Sequence, residues 1–75
     1  MYDHIIKTLI EEVEGLKAYY KMRGIAQDNG DEYLEFWLQQ IIEDERSHVK
    51  WIWDYLKKHG ENTREIDAIC RELGL

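Results

Sequence analysis

The stretch "QQIIEDERSHVKWIWDYL", residues 39–56, decides the fold class of this chain. Its apolar residues recur at intervals of three and four, which is the spacing of one face of an α-helix and not of a strand. Glu45 falls inside this apolar stripe, and His48 lies one turn further along the same face. Burying a carboxylate without a partner is costly in free energy. The pattern therefore predicts a helix in which Glu45 has a specific partner.

Length and cysteine content limit how such a helix is stabilised. The chain has 75 residues, which indicates a single small domain over residues 1–75. A core of this size supplies no more than about 3–5 kcal/mol without a disulfide, a metal or a partner chain. The single cysteine, Cys70, excludes an internal disulfide, and we expect it to act as a small buried hydrophobe. We therefore expect a metal, oligomerisation or both.

The charge of the chain narrows the classes of partner. Sixteen acids against ten bases give a net charge of −6, which disfavours binding to nucleic-acid phosphates and favours attraction of cations. No apolar run approaches the roughly 18 residues that a membrane span requires. A lone thiol without a disulfide framework fits a reducing compartment. We therefore expect a cytoplasmic protein that binds neither nucleic acid nor membrane.

The apolar periodicity along the whole chain predicts an all-α fold. Helices are expected over residues 3–23, 31–59 and 63–73. The first two form an antiparallel hairpin, and the third is a short C-terminal amphipathic helix. Because two helices cannot enclose a core, we expect two chains to pair about a two-fold axis into a four-helix bundle dimer.

Capping and turn residues mark the predicted helix ends. They follow the usual preferences for a side-chain acceptor at the start of a helix and for glycine after its end. These residues are Asp3 as the first N-cap, Gly24 at the left-handed position after helix one, Asn29 and Gly30 in the turn, Gly60 after helix two, and Asn62 with Glu65 as a capping box for helix three.

Glu12 in the first helix is the second acid on an apolar face. It lies at the edge of the arc that contains Ile5 and Leu16, and Tyr19 follows it by one heptad. Two acids and a histidine on facing stripes are explained by a metal, and their donor set suits iron or manganese and also zinc. In di-iron helical bundles two helices each supply one Glu, and the other two each supply Glu-x-x-His.

Glu12 and the Glu-x-x-His segment "ERSH", residues 45–48, supply half of that ligand set. A second copy of the chain would supply the other half, which gives four Glu and two His around a shared di-iron site. Two other interpretations stay open at this point. In the first, the chain is a metal-free homodimeric interaction module in which Glu45 forms a buried pair with His or Lys. In the second, the same ligands hold di-zinc or di-manganese.

Other candidate residues have simpler roles. His4 and His59 lie near helix ends, where we expect solvated or capping side chains. The bulky aromatic residues are expected to pack or to form subunit contacts. These are Tyr33, Trp37, Trp51, Trp53 and Tyr55.

The segments "TLIEEVEGLKAYYKMR" (8–23) and "EDERSHVKWIWDYLKKHG" (43–60) together resemble the encapsulated ferritins. These are small ferritin-like proteins in which each chain supplies half of a four-helix bundle. The resemblance covers roughly residues 5–60, and its specific parts are the acidic cluster "EEVE" and the Glu-x-x-His about 33 residues later. It implies a ferritin-like half-bundle and a ferroxidase activity that oxidises ferrous iron with oxygen.

By position, the resemblance assigns Glu12, Glu45 and His48 as ferroxidase ligands that meet their counterparts from a second chain. It places Tyr19 close to the metals, beside their ligands and not as a ligand itself. In the family, chains form rings of dimers, often of ten subunits, and the mineral is stored inside an encapsulin compartment.

Glu11 and Glu14 match the family's acidic positions that gather iron before it reaches the centre. Family members destined for encapsulin carry a flexible tail that ends in a Gly-Ser-Leu-like docking peptide. No such peptide follows "RELGL", residues 71–75, in this sequence.

Overall fold

A computed structural model describes residues 2–75 as three α-helices, with no strand in that range. They are α1 (Asp3–Asp28), α2 (Glu32–Lys58) and α3 (Arg64–Glu72). The two long helices pack against each other as an antiparallel hairpin. The predictions of an all-α chain and of a packed pair of long helices are therefore confirmed. Within residues 2–75, no helix is both apolar and long enough to cross a bilayer.

The first helix is longer than the sequence predicts. It continues through Gly24 to Asp28 and does not end near residue 23. A glycine tolerates helical geometry, and the extra turn buries Ala26 at 1% exposure against α2. Asn29 then closes the helix by donating its side-chain amide to the carbonyl of Ile25 at 2.9 Å. Gly30, at φ +66°, reverses the chain and confirms the predicted turn.

The second helix begins and ends at the residues that the sequence indicates. Asp31 is its N-cap, and Oδ1 of Asp31 accepts a hydrogen bond from the backbone amide of Leu34 at 3.0 Å. His59 is the C-cap residue, and Gly60 follows in the left-handed region at φ +73°. The prediction that Gly60 ends this helix is confirmed.

Two predicted caps are wrong by one residue. Asp3 is the first helical residue of α1, and Tyr2 is the N-cap without a side-chain hydrogen bond. Thr63 is the N-cap of α3, so Glu65 lies one position too early to complete a capping box. Asn62 instead accepts from the backbone amide of Arg64 at 3.2 Å, a local turn that competes with the helical cap.

The hydrophobic core joins all three helices at one end of the hairpin. The third helix docks beside the first half of α1 and the second half of α2. Cys70 is fully buried there, as predicted for a small hydrophobe, and burial raises the pKa of its thiol. The buried members of this core are Leu9, Val13, Val49, Trp53, Leu56, Ile66 and Cys70.

Polar contacts hold α3 on this end of the hairpin. The guanidinium of Arg46 donates to Tyr20 Oη at 2.6 Å and to the backbone carbonyls of Leu73 (2.6 Å) and Gly74 (3.1 Å). Charge-assisted bonds of this kind are stronger than neutral ones, and a cation suits the negative end of a helix. Arg46 therefore ties the two long helices to the C-terminal end of α3.

The side chain of Asp67 provides a second tie that depends on pH. Its Oδ1 accepts from the indole N–H of the buried Trp53 at 2.8 Å. This hydrogen bond, with a further one from the Thr63 hydroxyl, lowers the pKa of Asp67. A lowered pKa stabilises the fold above the ordinary pKa of the carboxyl, and the contribution is lost as pH falls through the folded value.

We expect the Asp67→Asn variant to unfold at lower urea concentration than the wild type near pH 6, because an amide accepts the indole proton less strongly than a carboxylate. The difference should be smaller at pH 3, below the ordinary pKa of the carboxyl, because the contribution of a lowered pKa is lost as pH falls. Urea titrations of both proteins at both pH values measure this. An equal difference at both pH values would contradict a role for the charge.

Candidate metal centre

The side chains of Glu12 and Glu45 lie on facing surfaces of α1 and α2, and both are half-buried. They line one cavity of about 320 Å³ between the long helices. Helical periodicity places both acids beside buried apolar residues, so packing of the hairpin brings them together. The remaining residues around this cavity are Thr8, Glu11, Gly15 and Tyr19.

The carboxyl of Glu12 perturbs that of Glu45. The pKa of Glu45 is raised, first by a side-chain hydrogen bond with Glu12, then by burial and by the negative charge of Glu12. The charge of His48 opposes this shift and lowers the pKa of Glu45. A cation bound between two such carboxylates would relieve their mutual repulsion.

No basic side chain neutralises this pair. Within residues 2–75, the single ion pair shorter than 4 Å joins Lys57 to Asp54 at 3.5 Å. Arg46 is adjacent to Glu45 in the sequence, but its guanidinium is directed to Tyr20 and to the end of α3. Among residues 2–75, the Glu12–Glu45 pair therefore has no ion-pair partner within 4 Å.

The other predicted site residues are distributed unevenly. Tyr19 is half-buried and lines the cavity, and Glu11 lies at its exposed edge. Glu14 is exposed and does not line the cavity. His48 is exposed on α2, one turn after Glu45. Across the described range 2–75, no three His, Cys, Asp or Glu side chains cluster in a way that could hold a metal.

An exposed apolar surface extends from the two acids toward the turn of the hairpin, and together with the acids we name it the pairing face. Leu34 and Ile41 precede Glu45 by eleven and four residues, so they lie on the same face of α2. They are 43% and 37% exposed, although the apolar pattern suggests buried positions. On α1, Met22 lies one turn beyond Tyr19 and is 42% exposed. The pairing face consists of Glu12, Tyr19, Met22, Leu34, Ile41, Glu45 and His48.

The third helix does not cover the pairing face. Its hydrogen bonds reach Trp53 and Arg46, which lie on the opposite flank of α2.

Gly15 lies beside the cavity in the middle of α1, and a Cβ placed there would meet nothing within 4 Å. A glycine inside a helix costs roughly 0.5–1 kcal/mol relative to alanine. Neither Gly15 nor Arg46 was predicted from the sequence to have a role at this site. For Gly15, the signal in the sequence is a glycine in the middle of a predicted helix.

Comparison with known proteins leaves this site to be argued from its own geometry: no family model, curated protein or solved structure matches this chain.

Proposed function

We propose that this chain is half of a ferroxidase, and that two copies pair through the pairing face into a four-helix bundle around a shared di-iron centre. One observation carries the proposal: the half-buried Glu12–Glu45 pair has no ion-pair partner within 4 Å and adjoins an exposed apolar face. Carboxylates with an imidazole are the donor set of iron and manganese sites, and they also hold zinc. The residues present therefore fit a pair of divalent ions.

The shape of the chain supports pairing. Its radius of gyration is 13.9 Å, compared with roughly 11 Å for a compact domain of this length. Its extents are 45 × 19 × 17 Å, so one long side offers an area comparable to the roughly 800 Å² per partner of a standard interface. Two antiparallel hairpins packed side by side form a four-helix bundle. The second copy would bury Leu34, Ile41 and Met22.

Each polar residue of the pairing face has a role in this proposal. Glu12 and Glu45 supply negative charge to bind ferrous iron, which is the substrate, and stabilise the more highly charged ferric product. His48 projects from the chain and is free to bind at the shared centre. Iron supplies the redox chemistry when bound, since two ferrous ions each give one electron to oxygen. Tyr19 offers a hydroxyl beside the carboxylates, and Glu11 draws cations to the cavity.

The resemblance to the encapsulated ferritins extends the proposal. It adds a ring of dimers such as a decamer, a role in iron storage or detoxification, and an encapsulin shell as a partner for the assembled ring. It also assigns Glu14 to iron gathering, together with Glu11. A cytoplasmic location, free or within such a compartment, is part of the same proposal.

Metal addition to metal-free protein tests the proposal. We expect anaerobic ferrous iron to raise the sedimentation coefficient to that of a dimer or a larger ring, with about one iron per chain. Oxygen should then be consumed as ferric absorbance appears. Oxygen consumption on ferrous addition separates a ferroxidase from a di-zinc or di-manganese protein, because only a ferroxidase is expected to oxidise the added iron.

Assembly without any bound metal, with no oxygen consumption on adding ferrous iron, would contradict the proposal. That result would favour the metal-free homodimeric module.

A further inference from the structure

A second surface lies at the turn end of the hairpin, away from the third helix. Three neighbouring aromatic side chains of α2 are exposed there: Tyr33 (77%), Phe36 (57%) and Trp37 (48%). Trp37 forms edge-to-face contacts with both others, with ring centroids 6.4 Å from Tyr33 and 5.5 Å from Phe36. A contiguous cluster of exposed aromatic residues is typical of a binding surface, whereas single exposed apolar residues are common on any protein surface.

Two carboxylates lie beside one of these rings, that of Phe36. The groove there has a volume of about 350 Å³, is lined by Glu32, Glu35, Phe36 and Gln39, and leaves Tyr33 and Trp37 outside it. Glu35 accepts a hydrogen bond from the Gln27 side chain at 3.1 Å, which orients its carboxylate. We name this groove, lined by Glu32, Glu35, Phe36 and Gln39, the aromatic–acidic groove. It combines negative charge with ring faces, which is a combination that attracts cations.

The charge distribution along the chain strengthens this interpretation. Residues 24–45 hold seven of the sixteen acids and none of the lysines, arginines or histidines. The turn end of the hairpin is therefore strongly acidic, whereas the rest of the chain has nearly balanced charge. Such a field attracts basic partners and raises their association rate.

Elsewhere the chain pairs its own cations with aromatic rings. Lys57 lies 3.6 Å from the ring centroid of Trp53, and Arg23 lies 5.1 Å from that of Tyr20. Arg23 approaches the flank that bears the groove, but its guanidinium donates to Gln39 Oε1 at 2.6 Å. Within residues 2–75, no basic side chain lies over Tyr33, Phe36 or Trp37. Apart from Arg23 at Gln39, no basic side chain of residues 2–75 is bonded to a residue of the aromatic–acidic groove.

We infer that the aromatic–acidic groove docks a basic peptide segment of another protein, with a lysine or arginine between Phe36 and the carboxylates of Glu32 and Glu35. Charge complementarity argues for this occupant over a second copy of the chain, whose matching end would bring seven more acids. The ring of Phe36 and the charge-assisted hydrogen bonds to the two carboxylates then hold the same lysine or arginine side chain. The inference does not rest on the proposed ferroxidase, because the groove lies outside the pairing face.

Calorimetric titration of the metal-free full chain tests the inference. The probe is an amidated twelve-residue peptide of repeated Lys-Leu-Lys-Lys, with an arginine version and a glutamate version for comparison. We expect both basic peptides to bind with one site per chain, and the acidic peptide not to bind. The Phe36→Ala variant and the double variant Glu32→Gln with Glu35→Gln should each weaken binding at least about tenfold.

Matched variants separate a specific groove from general attraction to an acidic protein. Trp51→Ala removes an exposed aromatic side chain from the other end of α2, and Glu65→Gln with Glu72→Gln removes the same charge from α3. We expect less than about a twofold change for each control. Equal losses in groove and control variants would overturn the inference.

Sedimentation of the same variants checks for the rival occupant. If Phe36→Ala lowers the oligomeric state and leaves peptide affinity unchanged, a second copy occupies this surface and the inference is wrong. Circular dichroism of each variant establishes that the helices are retained, since the substituted side chains point away from the core.

Discussion

Replacing Glu45 with glutamine should abolish oxygen consumption on addition of ferrous iron. An amide keeps the size of the side chain but removes the negative charge that would hold iron in the proposed centre. Loss of a group that merely orients a metal ligand costs about 10–100-fold, so loss of a ligand should lower the rate by at least about 100-fold. Stopped-flow absorbance of the ferric product and an oxygen electrode both measure this effect.

Glu43→Gln is the matched control for this variant. It removes the same charge two residues earlier on α2, where the side chain is exposed and accepts from Gln39 at 3.2 Å. We expect Glu43→Gln to retain near wild-type turnover. Retention of turnover by Glu45→Gln itself would remove the basis of the proposed di-iron site, whatever the state of assembly.

Introducing a charge into the pairing face by Ile41→Asp should prevent assembly. Ile41 lies one turn before Glu45 and is partly exposed in the single chain, so the variant should fold with unchanged helical content. Two-fold pairing would bury the new carboxylate twice, at a cost of several kcal/mol per ion without a partner. We expect dimerisation to weaken at least about 100-fold, measured by sedimentation in the presence of ferrous iron.

The control for assembly is Ile25→Asp. Ile25 is a comparable isoleucine, 53% exposed on α1, and it lies outside the pairing face. This variant should assemble and bind iron as the wild type does. If Ile41→Asp assembles as well as Ile25→Asp, then the second copy docks elsewhere and the shared centre proposed here cannot form in this way.

The proximity of Glu12 and Glu45 is a contact between two helices that the local sequence pattern predicts. Each acid lies at apolar helical spacing in its own segment, so periodicity alone indicates that both approach the helix contact. Gly24 illustrates the limit of local signals. Glycine is compatible with both a helix end and a helix interior, and the burial of Ala26 favours the interior.

The aromatic–acidic groove shows a second limit. The spacing of apolar residues predicts which face of a helix is apolar. Which residues on that face are covered depends on the other helices that pack against it. Trp53 and Trp37 are both tryptophans of α2. Trp53 is buried because α3 packs over it, whereas Trp37 is exposed because no element covers it. Arg46 is a further case, since the carbonyls to which it donates belong to residues 27 and 28 positions away.

The sequence by itself determined the all-α class, the packed pair of long helices, the turn at Asn29–Gly30 and the facing positions of Glu12 and Glu45, because these depend on periodicity and on neighbours within a turn. Tertiary structure alone decided which apolar residues stay exposed, where Arg46 directs its charge and which end of the hairpin α3 covers. Those outcomes depend on contacts between residues distant in the chain, which no local pattern specifies.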